Sequence, residues 1–221
     1  MAQYSKLQLM QTISATGVIP VFNTGDPQTA KAVLKAAYDG GIRVFEFTNR
    51  GDFAQETFAE LVKYAVRELP GMIVGAGSIV DPGTASLYLQ LGANFIVGPV
   101  FNPEVAPVCN RRLVAYCPGC ATVSELGKAQ ELGCDLCKVF PGDVLKPAFV
   151  KALRGPMPWS RVMVTGMVEL SRESLESWFG AGVFCVGMGT NLFPKAAVAS
   201  GDWGEITARC RKAIEIIKDI R

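Results

Sequence analysis

The sequence predicts an α/β fold, a parallel (β/α)8 (TIM) barrel with an extra N-terminal helix, as one domain over residues 1–221. Three observations carry this. Short apolar strands recur at intervals of roughly 20 to 30 residues along the whole chain. Most are near-continuous apolar runs, as expected of parallel strands buried on both faces. Helical patterns with recognisable caps fill most of the gaps, and eight such units point to a closed barrel. An open doubly wound sheet is the weaker reading, because no GxGxxG follows the first strand.

The elements follow in order. A first strand begins near Gly17 (GVIPVF), although Pro20 removes a ladder donor from it. Asp26-Pro27 opens a helix with a cap and a first-turn proline, and Gly40-Gly41 closes it. Strands follow near Arg43 (RVFEFT) and Ile73 (IVGAGS), then a helix from Asp81-Pro82 to Gly92, then a strand near Phe95 (FIVGPV). The connection around Asn102 to Arg112 is short and its helix weakly marked. After a strand near Val114 (VAYCPG), Thr122 and Glu125 form a capping box for a helix that ends at Gly133. Strands near Leu136 (LCKVFP), Arg161 (RVMVTG) and Phe184 (FCVGMG), a helix over 171–179 and an amphipathic helix over 206–217 complete the chain. A local repeat, in which Gly41, Gly92 and Gly133 precede their strands alike, puts Glu46, Val97 and Lys138 at equivalent strand positions.

Composition narrows the function. A net charge of +2 and no Lys/Arg block argue against nucleic acid as partner. No stretch is long and apolar enough for a membrane span or a signal peptide, so the chain reads as cytoplasmic. There is no histidine, which removes the commonest general base and metal ligand together. Cys117-x2-Cys120 and Cys134-x2-Cys137 mimic a zinc pattern. In a parallel βαβ unit, however, the two pairs are expected at opposite ends of the sheet, on the order of 15 Å apart. Buried thiols of a reducing compartment are the reading adopted, with no metal.

Two charges stand where apolar residues belong. Lys138 lies inside Leu136-Cys137-Lys138-Val139-Phe140, and Glu46 inside Val44-Phe45-Glu46-Phe47-Thr48. Desolvating either charge is unfavourable unless it is paired or neutralised. Strand period two turns Phe45 and Phe47, with Cys137 and Val139, towards the helices. Val44, Glu46 and Thr48, with Leu136, Lys138 and Phe140, then point into the barrel. A buried amine favours its neutral form, which is a nucleophile towards a carbonyl, and a neighbouring carboxylate supplies a proton shuttle. A structural Lys–Glu pair is the alternative, but such pairs seldom stabilise more than apolar replacements would. Arg50, Ser78, Pro99, Thr165 and Gly187 would gather at the same, C-terminal, end of the strands, where barrels do their chemistry.

These residues resemble the family of 2-keto-3-deoxy-6-phosphogluconate and 4-hydroxy-2-oxoglutarate aldolases. The likeness covers nearly the whole chain and is carried by GVIPVF (17–22), VFEFTNR (44–50), IVGAGS (73–78), CPGCATVSEL (117–126) and CKVFPGD (137–143). It implies a cofactor-free class I aldolase on a trimeric barrel, acting on a small 2-oxo acid and releasing pyruvate. By position it implies Lys138 as the Schiff-base lysine and Glu46 as the acid–base carboxylate. Arg50 would orient the substrate carboxylate, helped by Ser78 where the family usually has threonine, with Thr48, Pro99 and Thr165 lining the pocket. Gly166, Met167, Gly187, Gly189 and Thr190 match the phosphate-binding loops after the last two strands.

One departure concerns the far end of the substrate. The family's seventh strand usually ends Pro-Thr-Gly-Gly, whereas this chain reads Val164-Thr165-Gly166-Met167. Met167 either keeps the backbone turn or narrows the phosphate pocket and favours an unphosphorylated substrate. Two other functions stay open at the level of sequence: a phosphate-binding barrel with isomerase or synthase chemistry, and a non-catalytic relative that binds a keto acid. An exposed apolar residue such as Phe101 or Trp178 could serve an interface between subunits, but for Trp178 the favoured expectation is that it faces the barrel from its helix.

Overall fold

The computed structural model describes residues 2–221. Its strands are β1 (Val18–Phe22), β2 (Val44–Thr48), β3 (Ile73–Gly77), β4 (Phe95–Val97), β5 (Ala115–Cys117), β6 (Gly119–Cys120), β7 (Cys137–Val139), β8 (Val162–Thr165) and β9 (Cys185–Met188). All pairings are parallel, and the spatial order is β5-β4-β3-β2-β1-β9-β8-β7-β6. The two ends of that order are consecutive in the chain, separated only by Pro118. Residues 115–117 pair with β4 and residues 119–120 with β7, so one interrupted strand closes the barrel. The sequence suggested a continuous fifth strand. Proline has no N–H to donate, and the break falls on it, while the Pro118 carbonyl still accepts from the Lys138 N–H at 2.8 Å. Pro20 is accommodated similarly: pairing of β1 with β2 starts at Val21, beyond the missing donor.

Helices α1 (Lys6–Thr16), α2 (Pro27–Asp39), α3 (Ala54–Glu68), α4 (Pro82–Gln90), α5 (Val105–Asn110), α6 (Val123–Glu131), α7 (Gly142–Arg154), α8 (Arg172–Gly180), α9 (Lys195–Ser200) and α10 (Trp203–Ile220) accompany the sheet. The helices legible in sequence are those with side-chain caps: Asp26, Asp81, Thr122 and Ser171 each accept from N–H groups of the first turn. Helices α3 and α7 have no side-chain cap, and tertiary packing carries them instead. Gly41, Gly92 and Gly133 all adopt left-handed backbone, so the repeat read from sequence is a repeated turn into a strand.

The core has two layers. Phe45, Phe47, Cys137 and Val139 pack between sheet and helices, as strand periodicity requires. Ile19, Val44, Ile73, Phe95, Leu136, Met163 and Cys185 fill the barrel interior together with Leu9 and Ile13 of α1. Helix α1, held by a Ser5/Gln8 capping box, therefore seals the interior at the N-terminal ends of the strands. Polar chemistry is left to the opposite end. Trp178 packs in the outer layer, facing the barrel, and Phe101 is half-buried against it. Trp178 is therefore covered by the core, whereas Phe101 keeps part of its surface open.

The expected distance between the two cysteine pairs is corrected by the fold. The chain shift at Pro118 carries Cys120 alongside β7, where it neighbours Cys137; that neighbour and burial push the Cys137 thiol up. All seven cysteines are free and buried. Among the described residues no group of three or more His, Cys, Asp or Glu side chains is arranged to hold a metal ion. No helix among them is long and apolar enough to cross a membrane.

Ile13 is 0% exposed within the interior cluster. Ile13→Ala is expected to lower unfolding free energy by about 2–5 kcal/mol in urea denaturation, because the closed barrel has little room to collapse onto the void.

Candidate active site

Strands β2 and β7 are four places apart in the order β2-β1-β9-β8-β7, on opposite sides of the closed barrel. Glu46 and Lys138 are the central residues of their inward faces, one step above the apolar floor formed by Val44 and Leu136. They therefore approach each other across the interior. Both are buried: Glu46 is 0% exposed and Lys138 6%. The Lys138 ammonium position lies 5.1 Å from the Phe140 ring centroid, which walls it on one side.

The room for the carboxylate is made by β3. A Cβ at Gly77 would overlap the Glu46 carboxyl group, so any larger residue there would displace it. Neither Glu46 oxygen has a hydrogen-bond partner, although both are buried. Burial pushes this carboxyl above the ordinary carboxylate value of 4.5, against the opposing pull of the positive charges on Lys138 and Arg50. A carboxyl in this state takes up and releases protons closer to neutrality than an exposed one, which suits acid–base work without histidine.

Above this pair lies a cavity of about 410 Å³. It brings together Thr48, Arg50, Thr165, Gly166, Met167, Gly187, Gly189 and Thr190, the residues expected along the substrate. Arg50 donates to the Ser78 hydroxyl at 3.3 Å, tying the end of β2 to the turn after β3. Ser78 itself adopts left-handed backbone, φ 61°. Thr165 faces Gly187 in register, its side chain occupying the space a Cβ at Gly187 would need, and its hydroxyl is buried without a partner. Pro99 does not line this cavity; its main chain abuts Gly119 of the interrupted strand. Other depressions, of about 670, 590 and 420 Å³, are larger, and neither they nor this cavity are lined by Glu46 or Lys138. What distinguishes this one is its place at the C-terminal ends of β1, β2, β8 and β9, where it holds Thr48, Arg50, Thr165 and Gly187 together.

Met167 keeps the turn. Its φ is 52°, the left-handed region a glycine would occupy, and the residue is 68% exposed where it lines the cavity. The cost is local strain of about 1–2 kcal/mol for a non-glycine residue in this region. The cavity also has a wall that sequence reading missed: Asn23, Phe193 and Lys195 line it. Lys195 follows Pro194 at the first position of α9, and a lysine just beyond the last strand's loop is the only local signal for it.

Two outcomes are expected. A carboxyl whose folded pKa is raised binds its proton more tightly in the folded state, so its contribution is most favourable below the unfolded value of 4.5 and is lost as pH rises through the folded value. Glu46→Gln is therefore expected to be more stable than the parent near pH 7, with the difference closing at about pH 4, in paired urea titrations. Met167→Gly is expected to gain up to about 1 kcal/mol, the relieved strain less the added chain entropy, read as a rise in melting temperature.

Comparison with known proteins shows the family and the fold. Residues 9–209 match the family described as KDPG and KHG aldolase. The 2-dehydro-3-deoxy-phosphogluconate aldolase of Dickeya dadantii is 32% identical over 216 residues, covering 95% of this chain and 96% of its own. The KHG/KDPG aldolase of Escherichia coli K12 is 31% identical over 210 residues, covering 93% and 94%. The KDPG aldolase of Legionella pneumophila, solved with pyruvate captured as a covalent carbinolamine intermediate, superposes with a TM-score of 0.84 at 28% identity, covering 92% of this chain and 97% of that one. A buried lysine and carboxylate facing each other in a parallel barrel, with full-length similarity on both counts, lead to one conclusion: this chain belongs to the KDPG and KHG aldolase family of carbon–carbon lyases.

Proposed function

We propose that this protein is a class I, metal-independent aldolase that cleaves a 4-hydroxy-2-oxo acid through an imine on Lys138. The substrates of this reading are 2-dehydro-3-deoxy-6-phosphogluconate, giving pyruvate and glyceraldehyde 3-phosphate, and 4-hydroxy-2-oxoglutarate, giving pyruvate and glyoxylate. The observation that carries it is the buried, unpartnered Glu46 carboxyl opposite the buried Lys138. A pair kept for stability alone would be hydrogen-bonded, because an unsatisfied buried carboxyl is strongly unfavourable.

The chemistry runs as follows. The Lys138 amine adds to the C2 carbonyl, and loss of water leaves a protonated imine. Glu46 accepts the C4 hydroxyl proton, the C3–C4 bond breaks, and its electron pair moves into the imine to form an enamine. The aldehyde leaves. Glu46 returns a proton to C3, and hydrolysis of the imine releases pyruvate and the free amine. Arg50, steadied by Ser78, holds the substrate carboxylate through its planar fork. Thr48 and Thr165 border the carbon chain, and Pro99 backs the turn beyond β4. The turns containing Gly166, Met167, Gly187, Gly189 and Thr190 receive the far end of the substrate.

Borohydride reduction in the presence of pyruvate, followed by peptide mass mapping, tests this directly. A reduced pyruvyl adduct is expected on Lys138 and nowhere else; a folded protein without it would overturn the imine and bring a phosphate-binding isomerase or synthase forward. Glu46→Gln is expected to keep pyruvate binding while lowering kcat by about 10²–10⁴-fold in a coupled pyruvate assay.

A further inference from the structure

The cavity carries a second cation beside Arg50. Lys195, at the start of α9, lines the same space of about 410 Å³, and no acidic side chain does. Among the described residues neither Arg50 nor Lys195 has an acidic partner within 4.0 Å, a state they share with exposed lysines such as Lys146 and Lys151 but, unlike those, within one cavity. The two cations follow β2 and β9, which are separated only by β1. Their strands therefore stand about 10 Å apart at the usual inter-strand spacing. Two like charges sharing one acid-free cavity repel each other, and a ligand with a negative group at each end relieves both. A monoanion would relieve only one.

We propose that Lys195 is a specificity-determining residue whose ammonium neutralises the anionic group at the end of the substrate remote from the 2-oxo carbon. The proposal rests on the aldolase reading and deepens it. That terminal anion is supplied by a phosphate ester or by a second carboxylate, and Lys195 recognises the charge they share. Thr190 and the backbone of the glycine turns shape the place, whereas Lys195 sets the preference for a charged over a neutral end.

The test compares Lys195→Ala and Lys195→Arg with the parent on three substrates: a 2-keto-3-deoxy-6-phosphohexonate, its unphosphorylated counterpart, and 4-hydroxy-2-oxoglutarate. For Lys195→Ala, KM for the phosphorylated acid is expected to rise about tenfold or more with kcat little changed. The unphosphorylated acid should shift by less than about twofold, and Lys195→Arg should restore most of the loss. A parallel rise for 4-hydroxy-2-oxoglutarate makes the recognised feature any terminal anion; a rise for the phosphorylated acid alone makes it the phosphate. Equal effects on charged and neutral substrates, or none, overturn the assignment. Borohydride trapping of pyruvate separates the two levels, because pyruvate has no far end. A normal adduct with an unchanged KM discards Lys195 and leaves the aldolase reading intact, whereas a parent protein without an adduct discards both.

Discussion

Everything at this site depends on holding a carboxyl group buried and without a hydrogen-bond partner from the protein, opposite an amine, inside a closed sheet. Glu46 is wholly buried and both its oxygens lack donors. Such an arrangement opposes folding, and it persists because the surrounding barrel over-determines it. The walls are strands whose inward residues are large at the floor and small beside the carboxyl: Ile73 below, Gly77 alongside. Closure of the sheet through the Pro118 break leaves β7 paired on both sides, so Lys138 is fixed between Gly119 and Met163. The rigidity that makes the barrel stable is also what keeps the two groups facing each other.

The polarity of the barrel follows from the same arrangement. Helix α1 supplies Leu9 and Ile13 to the interior and closes the end where strands begin. Polar groups collect where strands end, and the turns there carry strained backbone at Ser78 and Met167. Both residues border the cavity or bond to a residue that does. Phe53, Leu113 and Lys146 adopt positive φ elsewhere, so what sets Ser78 and Met167 apart is their place beside the cavity. The cavity lining carries Arg50 and Lys195 and no acid, with the Glu46 carboxyl buried beneath within reach of the Arg50 charge, whereas the helical exterior mixes both signs in short-range pairs.

Much of this was legible in the chain. Continuous apolar strands, proline-initiated and capped helices, and a charge at the centre of two strands determined the barrel, its inward faces and the Glu46–Lys138 pair, because period, capping and burial are local consequences of residue type. Uncapped helices α3 and α7 left no such mark. Tertiary structure alone decided four things. It split the fifth strand at Pro118 and thereby moved Cys120 beside Cys137, which spacing had put far away. It buried Trp178 against the core and left Phe101 half-buried beside it. It left Met167 exposed while still lining the cavity, which composition does not encode. And it brought Lys195, 57 residues beyond Lys138 in numbering, to the cavity that Arg50 shares. Each of these depends on which segments meet when the sheet closes, a long-range condition that no window of neighbouring residues contains.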